Sequence, residues 1–134
     1  MIVLDASVLA NVVGDDGPGG RAARSLLASA GDAAIPELAD VETAAVLRKR
    51  WLAGMLADAR LAAALGDLVA LPLRRFPARP FLRRAFDLRA TVTAYDAIYV
   101  ALAESLECEL VTADARLARA PGVRCPVRVV RDPA

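Results

Sequence analysis

Four acidic residues are candidates for a single metal-binding site. They are Asp5, Glu42, Asp96 and Asp114. Clustered carboxylates are the ligands that hard divalent ions such as magnesium and manganese prefer. A bound ion of this kind acidifies a water molecule and offsets the charge of a phosphate, so no protein nucleophile is needed. The pattern therefore indicates a metal-dependent hydrolytic site.

The composition narrows the chemistry further. The chain contains no histidine, which excludes serine–histidine–aspartate catalysis, cysteine–histidine catalysis and histidine-bound zinc. The two cysteines, Cys108 and Cys125, are too few and too far apart in sequence for a zinc knuckle or a disulfide framework. A formal net charge of +1 does not indicate a strongly basic surface that grips nucleic acid by bulk charge.

Short strands that alternate with helices are predicted along the whole chain. The predicted strands are 2–4, 33–35, 69–73, 109–112 and 127–130. The predicted helices are 7–13, 21–30, 36–51, 58–68, 81–89 and 94–104, with a loop at 15–20 and a short helix near 114. This alternation is typical of a parallel α/β sheet with helices on both faces. With 134 residues, of which 57% are apolar, we expect a single domain over 1–134.

Three of the acids lie at the ends of these predicted elements. Asp5 and Asp114 each follow a predicted strand, and open α/β sheets bind ligands at the carboxyl ends of their strands. Asp96 lies near the start of an apolar helix that is expected to be buried, where an unpaired charge is costly. Each acid also has a structural alternative. Asp5 and Asp114 are suitable helix N-caps, and Thr93 with Asp96 resembles a capping box.

The fourth acid, Glu42, lies within a predicted helix that begins near Pro36. We expect Glu42 to flank the buried face of this helix, whereas the rival Asp40 points away from it. The predicted buried face consists of Leu38, Val41, Ala45 and Leu52. The structural alternative for Glu42 is a boundary charge paired with an arginine or a lysine. Thr112 is expected to hydrogen bond to Asp114 or to a metal-bound water, and Ser7 is expected to act similarly beside Asp5.

Arginines are concentrated between the third predicted strand and the Asp96 helix. They are Arg74, Arg75, Arg79, Arg83, Arg84 and Arg89. In the functional interpretation they contact the phosphates of a nucleic acid beside an acidic site that otherwise repels it. Arg79 and Arg83 are the candidate substrate-binding residues. In the alternative interpretation the cluster is a solvated helix face in an arginine-rich protein.

Four segments together resemble a known family. They are VLDAS at 3–7, VETAAVLR at 41–48, YDAIYVALAE at 95–104 and LVTADARL at 110–117. In this order and spacing they resemble the PIN-domain nucleases, and within them the VapC toxins of bacterial and archaeal toxin–antitoxin pairs. The resemblance covers essentially the whole chain. It implies a PIN-like three-layer α/β/α sandwich with a central, mostly parallel sheet of short strands.

The resemblance also implies a function. It implies a magnesium- or manganese-dependent endoribonuclease, with the four acids as metal ligands and catalytic residues and Thr112 in support. It further implies an RNA substrate, a cognate VapB-like antitoxin and a homodimer. Two alternatives stay open, a PIN-type nuclease of RNA processing or DNA repair and a metal-binding or receiver-like signalling domain. Receivers usually carry an adjacent acidic pair, and Asp5 is single.

The cellular location is predicted from the signal-peptide and membrane-spanning patterns of the sequence. The segment that begins at Met1 has no positively charged region and reaches an acid at Asp5, unlike a signal peptide. No uninterrupted apolar run reaches the roughly 18–20 residues that cross a bilayer. We therefore expect a cytoplasmic protein without a membrane partner.

Overall fold

The computed structural model describes residues 1–130, which form a five-stranded parallel sheet flanked by helices. The strands are β1 (Ile2–Leu4), β2 (Ala33–Pro36), β3 (Arg74–Phe76), β4 (Glu109–Thr112) and β5 (Val127–Val129). Their order across the sheet is β3-β2-β1-β4-β5, and each neighbouring pair is parallel. The predicted α/β class is confirmed, and the first strand of the chain is the central one.

The helices form the outer layers of the sandwich. They are α1 (Ala6–Gly14), α2 (Pro18–Ala30), α3 (Leu38–Leu52), α4 (Asp58–Ala70), α5 (Leu82–Asp87), α6 (Ala94–Ser105) and α7 (Ala115–Ala118), with a 3₁₀ turn at Arg79–Phe81 before α5. Helix α1 packs against α2, α3 and α4, whereas α6 lies against β1, β2 and β4. In the part of the chain that the model describes, no helix combines the length and the apolar character needed to span a bilayer.

Strands β1 and β4 are the centre of the hydrophobic core. Val3, Leu4, Leu110 and Val111 are fully buried, as expected for strands covered by helices on both faces. Leu4 pairs with Val111, and the backbone N–H of Asp5 then donates to the carbonyl of Val111 at 2.9 Å. The two strands therefore end side by side.

The central part of helix α6 is buried, as its composition predicted. Every residue from Ala97 to Ala103 is buried. Small alanines alternate with large side chains there, so the helix is able to approach β1, β2 and β4 closely. Its amino end, which carries Asp96, is thereby held in place by the core.

The third strand does not lie where it was predicted. Helix α4 continues to Ala70, and β3 begins at Arg74 rather than at Val69. A short apolar run does not distinguish a strand from a helix, and Leu68 follows the buried Ala64 at helical spacing. Val69 is 83% exposed on the outer side of α4. Since Pro72 has no N–H for a strand ladder, the strand starts beyond it.

Two boundaries near prolines also differ from the prediction. Pro36 was expected in the first turn of a helix, but it is the last residue of β2, opposite Phe76, and α3 starts at Leu38. The N–H of Glu37 donates to the Phe76 carbonyl, so the hydrogen bonding between β2 and β3 continues one residue past the proline. Pro18, assigned to a loop, instead opens α2, because a proline is favourable at the first helical position.

The buried face of α3 is rotated from the one predicted. Ala39, Thr43 and Leu47 are buried, whereas Val41 is 73% and Leu52 is 58% exposed. Ala39 and Thr43 are small, and they stand one turn apart with Leu47 on the next turn, so the helix packs closely through this row. The larger apolar residues of the predicted face, Val41 and Leu52, are left on the outside.

Candidate active site

Asp5 and Asp114 lie beyond the carboxyl ends of neighbouring strands, as their positions in the sequence predicted. Asp5 directly follows β1 and Asp114 follows β4 by two residues. Both are also N-cap residues, of α1 and α7 respectively. The Asp5 side chain makes no capping hydrogen bond, whereas an Asp114 carboxylate oxygen accepts from the N–H of Arg116 at 2.9 Å. The capping alternative therefore describes Asp114 in part and does not describe Asp5.

Thr112, the last residue of β4, connects these two acids. Its hydroxyl donates to Asp5 Oδ2 at 2.6 Å and accepts from the N–H of Asp114 at 3.1 Å. Thr112 is fully buried, so its hydroxyl is fixed between the two strand ends. The expected hydrogen bond between Thr112 and Asp114 is therefore present, through the Asp114 backbone, and the bond to Asp5 is additional because β1 and β4 are adjacent strands.

Glu42 reaches towards the same edge of the sheet from α3. The hydroxyl of Tyr99 in α6 donates to Glu42 Oε1 at 2.8 Å. Tyr99 is buried in the core, so its hydroxyl holds the Glu42 carboxylate in a fixed position. The rival Asp40 is paired with the Arg75 guanidinium at 2.8 Å. Asp40 is therefore the boundary charge with an arginine partner, and Glu42 is the acid that faces the other carboxylates.

Asp96 lies in the first turn of α6. The hydroxyl of Thr93 accepts from the backbone N–H of Asp96 at 3.2 Å, so Thr93 is the N-cap. The Thr93 hydroxyl also interacts with the Asp96 carboxyl and opposes the rise in its pKa. The carboxylate remains available for the space that it shares with Asp114.

The four acids are coupled through their charges. Burial raises the pKa of Glu42, and the nearby carboxylates of Asp5 and Asp96 raise it further, against the opposing effect of the Tyr99 hydrogen bond. Burial also raises the pKa of Asp96, with additional contributions from Asp5 and Asp114. Contacts join the other two acids to this region, because Thr112 hydrogen bonds to both Asp5 and Asp114 and because Asp114 lines one cavity with Asp96. The sequence pattern thus brings the predicted acids to one place.

The donor set fits a hard divalent cation. Grouped carboxylates, of which Glu42 and Asp96 have a raised pKa, gain from a divalent ion, because the ion offsets the repulsion between them. Arg116 is the one cation paired with a member of the cluster in residues 1–130, and it contacts only Asp114. In the same range no three acids or cysteines are already close enough to hold a metal. The acids converge without forming a finished coordination sphere.

A comparison with protein-family models identifies the family of this chain. The model that describes the PIN domain matches residues 2–123. The chain belongs to the PIN-domain family. The prediction from the four sequence segments is therefore confirmed, and all four acids lie within the matched residues. That residues 1–134 form no more than this one domain stays a prediction.

Curated relatives place this PIN domain among the VapC proteins. It is 36% identical over 130 residues to the protein named ribonuclease VapC12 of Mycobacterium tuberculosis, covering 97% of this chain and 99% of the relative. It is 41% identical to ribonuclease VapC9 of the same organism, covering 97% and 98%. Similarity at this level along the full length assigns the PIN domain to the VapC group.

Solved structures with low sequence identity show the same fold. The crystal structure of Mycobacterium tuberculosis VapC20, a sarcin–ricin loop cleaving toxin, superposes with a TM-score of 0.70 at 16% identity, covering 92% of this chain and 97% of that one. A toxin–antitoxin complex from Klebsiella pneumoniae superposes with a TM-score of 0.66 at 19% identity, covering 98% and 100%. The predicted three-layer sandwich is therefore confirmed.

The predicted supporting residues have different surroundings in the PIN domain. The hydroxyl of Ser7, in the first turn of α1, is buried without a hydrogen-bond partner among residues 1–130. Arg79 and Arg83 are exposed, and within the same range neither guanidinium has a hydrogen bond or an ion pair. Neither arginine lines the cavity beside Asp96 and Asp114. Their predicted role in substrate binding stays a prediction.

The other arginines of that segment are mostly used within the fold. Arg74 pairs with Asp32, Arg75 with Asp40 and Arg84 with Glu104, and the Arg89 guanidinium stacks on the Phe86 ring. Arg84 also donates to the Gly122 carbonyl at 2.6 Å, so it fastens α5 to α6 and to the loop before β5. These four arginines are therefore not simply a solvated helix face, as the alternative interpretation expected, because each contacts an acid or an aromatic ring of the fold.

Two residues of the site were not singled out from the sequence. Tyr99 was quoted only as part of a family segment, yet it holds Glu42 from a position one turn after Asp96. Arg116, two residues after Asp114, lies at the acidic cluster. Tyr99 could have been predicted from its place one turn after Asp96 on a helix expected to be buried. A buried tyrosine hydroxyl usually has a hydrogen-bond partner, and such a partner would lie near the site.

The raised pKa of Glu42 predicts a pH dependence of stability. A folded-state pKa above the ordinary value of 4.5 means that the native protein holds this proton more tightly than the unfolded chain. The resulting stabilisation is fully present below the pKa of Glu42 in the unfolded chain. It is lost as the pH rises through the pKa of Glu42 in the folded protein. In chelator, wild type should therefore lose stability relative to Glu42→Gln between about pH 4 and pH 7.

Urea unfolding of the two proteins at both pH values measures this difference directly. Glutamine keeps an oxygen that accepts from Tyr99, so the comparison isolates the charge. A difference that stays constant, or that grows in favour of wild type with rising pH, would contradict the repulsion inferred among the acids.

Proposed function

We propose that this chain is a divalent-metal-dependent endoribonuclease that acts as the toxin of a toxin–antitoxin pair. The observation that carries the proposal is the grouping of four carboxylates in a PIN domain, two after the neighbouring strands β1 and β4, which Thr112 links, and two from helices α3 and α6. Relatives at 36% and 41% identity are named ribonucleases, which supports RNA as the substrate. Within residues 1–130, no observation favours the signalling alternative.

Asp5, Glu42, Asp96 and Asp114 are the residues that would hold magnesium or manganese. When bound, the ion supplies an acidified water and offsets the charge of the phosphodiester. The residues of the chain orient this site. Thr112 holds Asp5 through a 2.6 Å hydrogen bond, and Tyr99 holds Glu42 through one of 2.8 Å. The buried Ser7 hydroxyl, which lacks a partner in residues 1–130, is a further candidate to hydrogen bond to water at the site.

The proposed biological partner is a VapB-like antitoxin. Fold neighbours include a toxin–antitoxin complex from Klebsiella pneumoniae and a VapBC2 complex from Rickettsia felis, which supports a protein partner for this fold. Helix α3 leaves Val41, Ala45 and Leu52 exposed on one side, as surfaces that bind other proteins often do. A homodimer and a cytoplasmic location, where RNA and an antitoxin are both available, complete the proposal.

Induced expression in a bacterial host tests this function. We expect growth to stop and new RNA ends to appear at a limited set of sites, because a toxin of this class cuts RNA internally. The Asp96→Asn variant, expressed to the same level, should allow growth and give no new ends. Co-expression of a cognate VapB-like antitoxin should restore growth with wild type. Normal growth together with an unchanged map of RNA ends would contradict the proposal.

A further inference from the structure

Arg116 is the arginine that forms an ion pair with an acid of the cluster in residues 1–130, and this contact is weak. Its Nε atom lies 3.3 Å from Asp114 Oδ1, and its Nη2 atom lies 3.5 Å from Oδ2. The side chain of Arg116 is 87% exposed. An exposed pair at such distances contributes little to stability, so the guanidinium is able to leave Asp114 at low cost.

Other arginines of the protein are held much more firmly. Arg75 donates to both oxygens of Asp40 and to the carbonyls of Leu68 and Leu71. Arg84 donates to both oxygens of Glu104, the shorter contact being 2.7 Å, and to a carbonyl. Arg116 has no such second anchor within residues 1–130, since its backbone N–H and its guanidinium both contact the one carboxylate.

Arg116 also lines the cavity that opens beside the acids. This cavity has a volume of about 200 Å³, and its walls include Asp96, Asp114 and Arg116 on one part and Val92, Leu117 and Ala120 on another. It thus combines carboxylates, one guanidinium and an apolar wall. Arg79 and Arg83 are not among its lining residues.

A phosphodiester that approaches four carboxylates is repelled unless cations lie nearby. A guanidinium presents several N–H groups in a planar fork, which matches the oxygens of a phosphate. Arg116 is the lining residue of the cavity that carries this group. In the free protein it rests on Asp114, the acid of the cluster whose pKa is lowered, through hydrogen bonds from the Arg116 backbone and side chain.

We propose that Arg116 is a substrate-binding residue that contacts a backbone phosphate of the RNA in the cavity beside Asp96 and Asp114. The inference rests on the proposed function and adds to it the position of the RNA backbone relative to the acids. On binding, the guanidinium exchanges the Asp114 carboxylate for the phosphate. Asp114 remains capped by the backbone N–H of Arg116, which this exchange does not disturb.

Arg116→Ala and a matched control, Arg119→Ala, test the proposal. Arg119 is exposed on the turn after the same short helix, and its charge also acts on Asp114, but it does not line the cavity. We expect Arg116→Ala to raise the KM for cleavage of a labelled single-stranded oligoribonucleotide about tenfold, with kcat changed much less. Arg119→Ala should change KM less than about twofold. Arg116→Lys keeps the charge without the fork and should fall between the two.

The salt dependence of RNA binding gives a second measurement that does not depend on cleavage. Anisotropy of the same oligoribonucleotide in chelator, at several potassium chloride concentrations, yields the slope of affinity against salt. Loss of one phosphate contact should reduce this slope by about 0.7 in Arg116→Ala and leave it unchanged in Arg119→Ala.

The outcomes separate this inference from the proposed function. If wild type cuts the RNA while Arg116→Ala matches Arg119→Ala in both KM and salt slope, the inference is overturned and the proposed function stands. If wild type neither binds nor cuts RNA, the proposed function fails and the inference fails with it. A rise in KM and a smaller slope in Arg116→Ala alone would establish the phosphate contact.

Discussion

Asp96→Asn should reduce RNA cleavage by about a hundred- to a thousandfold, and Asp5→Asn should do the same, because each removes a charge that the site cannot replace. Asp96 lies at the start of the buried helix α6, with Asp5 and Asp114 near enough to raise its pKa. Asparagine has the shape of aspartate but is a poor ligand for a hard cation, so the change removes chemistry and not volume. Cleavage rates of purified proteins on one RNA measure the effect.

The fold should survive this substitution. The N-cap hydrogen bond from Asp96 to Thr93 uses the backbone, and removal of the charge relieves the repulsion from Asp5 and Asp114. The thermal midpoint of Asp96→Asn in chelator should therefore equal or exceed that of wild type. Asp67→Asn on the exposed side of α4 is the matched control and should cleave at the wild-type rate. If Asp96→Asn cleaves RNA at a rate within a few fold of that of wild type, Asp96 is not a catalytic residue.

Gly20→Ala should destabilise the protein by about 3 kcal/mol or more, the largest stability effect that we expect of a single methyl group. A Cβ atom at this position would lie 1.7 Å from the backbone carbonyl oxygen of Asp15. Nothing flexible is available to move, because Asp15 is fixed by hydrogen bonds from Gly17, Gly20 and Arg24. The start of α2 must therefore shift away from the end of α1.

Gly66→Ala is the matched control for this substitution. Gly66 lies within α4, and a Cβ atom there would meet no atom within 4 Å. Alanine favours a helix over glycine, so this change should stabilise the protein by about 0.5–1 kcal/mol. Urea unfolding of both variants gives the two free energies. If the two substitutions have the same effect, the close contact between Gly20 and Asp15 does not exist in solution.

The order of elements and three of the acid positions followed from local patterns in the sequence. Ile2-Val3-Leu4 and 109–112 are short apolar runs that each end near an acid, so they predicted two strands with Asp5 and Asp114 beyond them. The apolar helix after Asp96 predicted burial in the same way. These features depend on which side chains can be buried, and that information is local.

The parts that were predicted wrongly depend on packing between distant segments. The rotation of α3 is set by the small residues Ala39 and Thr43, which permit close approach, rather than by its larger apolar residues. The end of α4 and the start of β3 depend on which neighbour pairs with the chain, since Ile35 pairs with Arg75. No property of the segment 69–73 alone encodes that pairing.

The hydrogen bonds of the site were also beyond local patterns. Thr112 and Asp5 are 107 residues apart in sequence, and Tyr99 and Glu42 are 57 apart. Once the sheet order places β1 beside β4, the first contact follows from the register of Leu4 and Val111. The contact between Tyr99 and Glu42 depends on the rotation of α3 about its axis, and the apolar pattern of α3 predicted that rotation wrongly.

The central claim is that Asp5, Glu42, Asp96 and Asp114 form a metal-dependent centre that cuts RNA. The most direct measurement is cleavage of one labelled RNA by protein stripped of metal, followed by titration with magnesium or manganese. We predict no cleavage in excess chelator, recovery on addition of either ion with wild type, and no recovery with Asp5→Asn. Cleavage that persists in excess chelator, or equal recovery in Asp5→Asn, would contradict the claim.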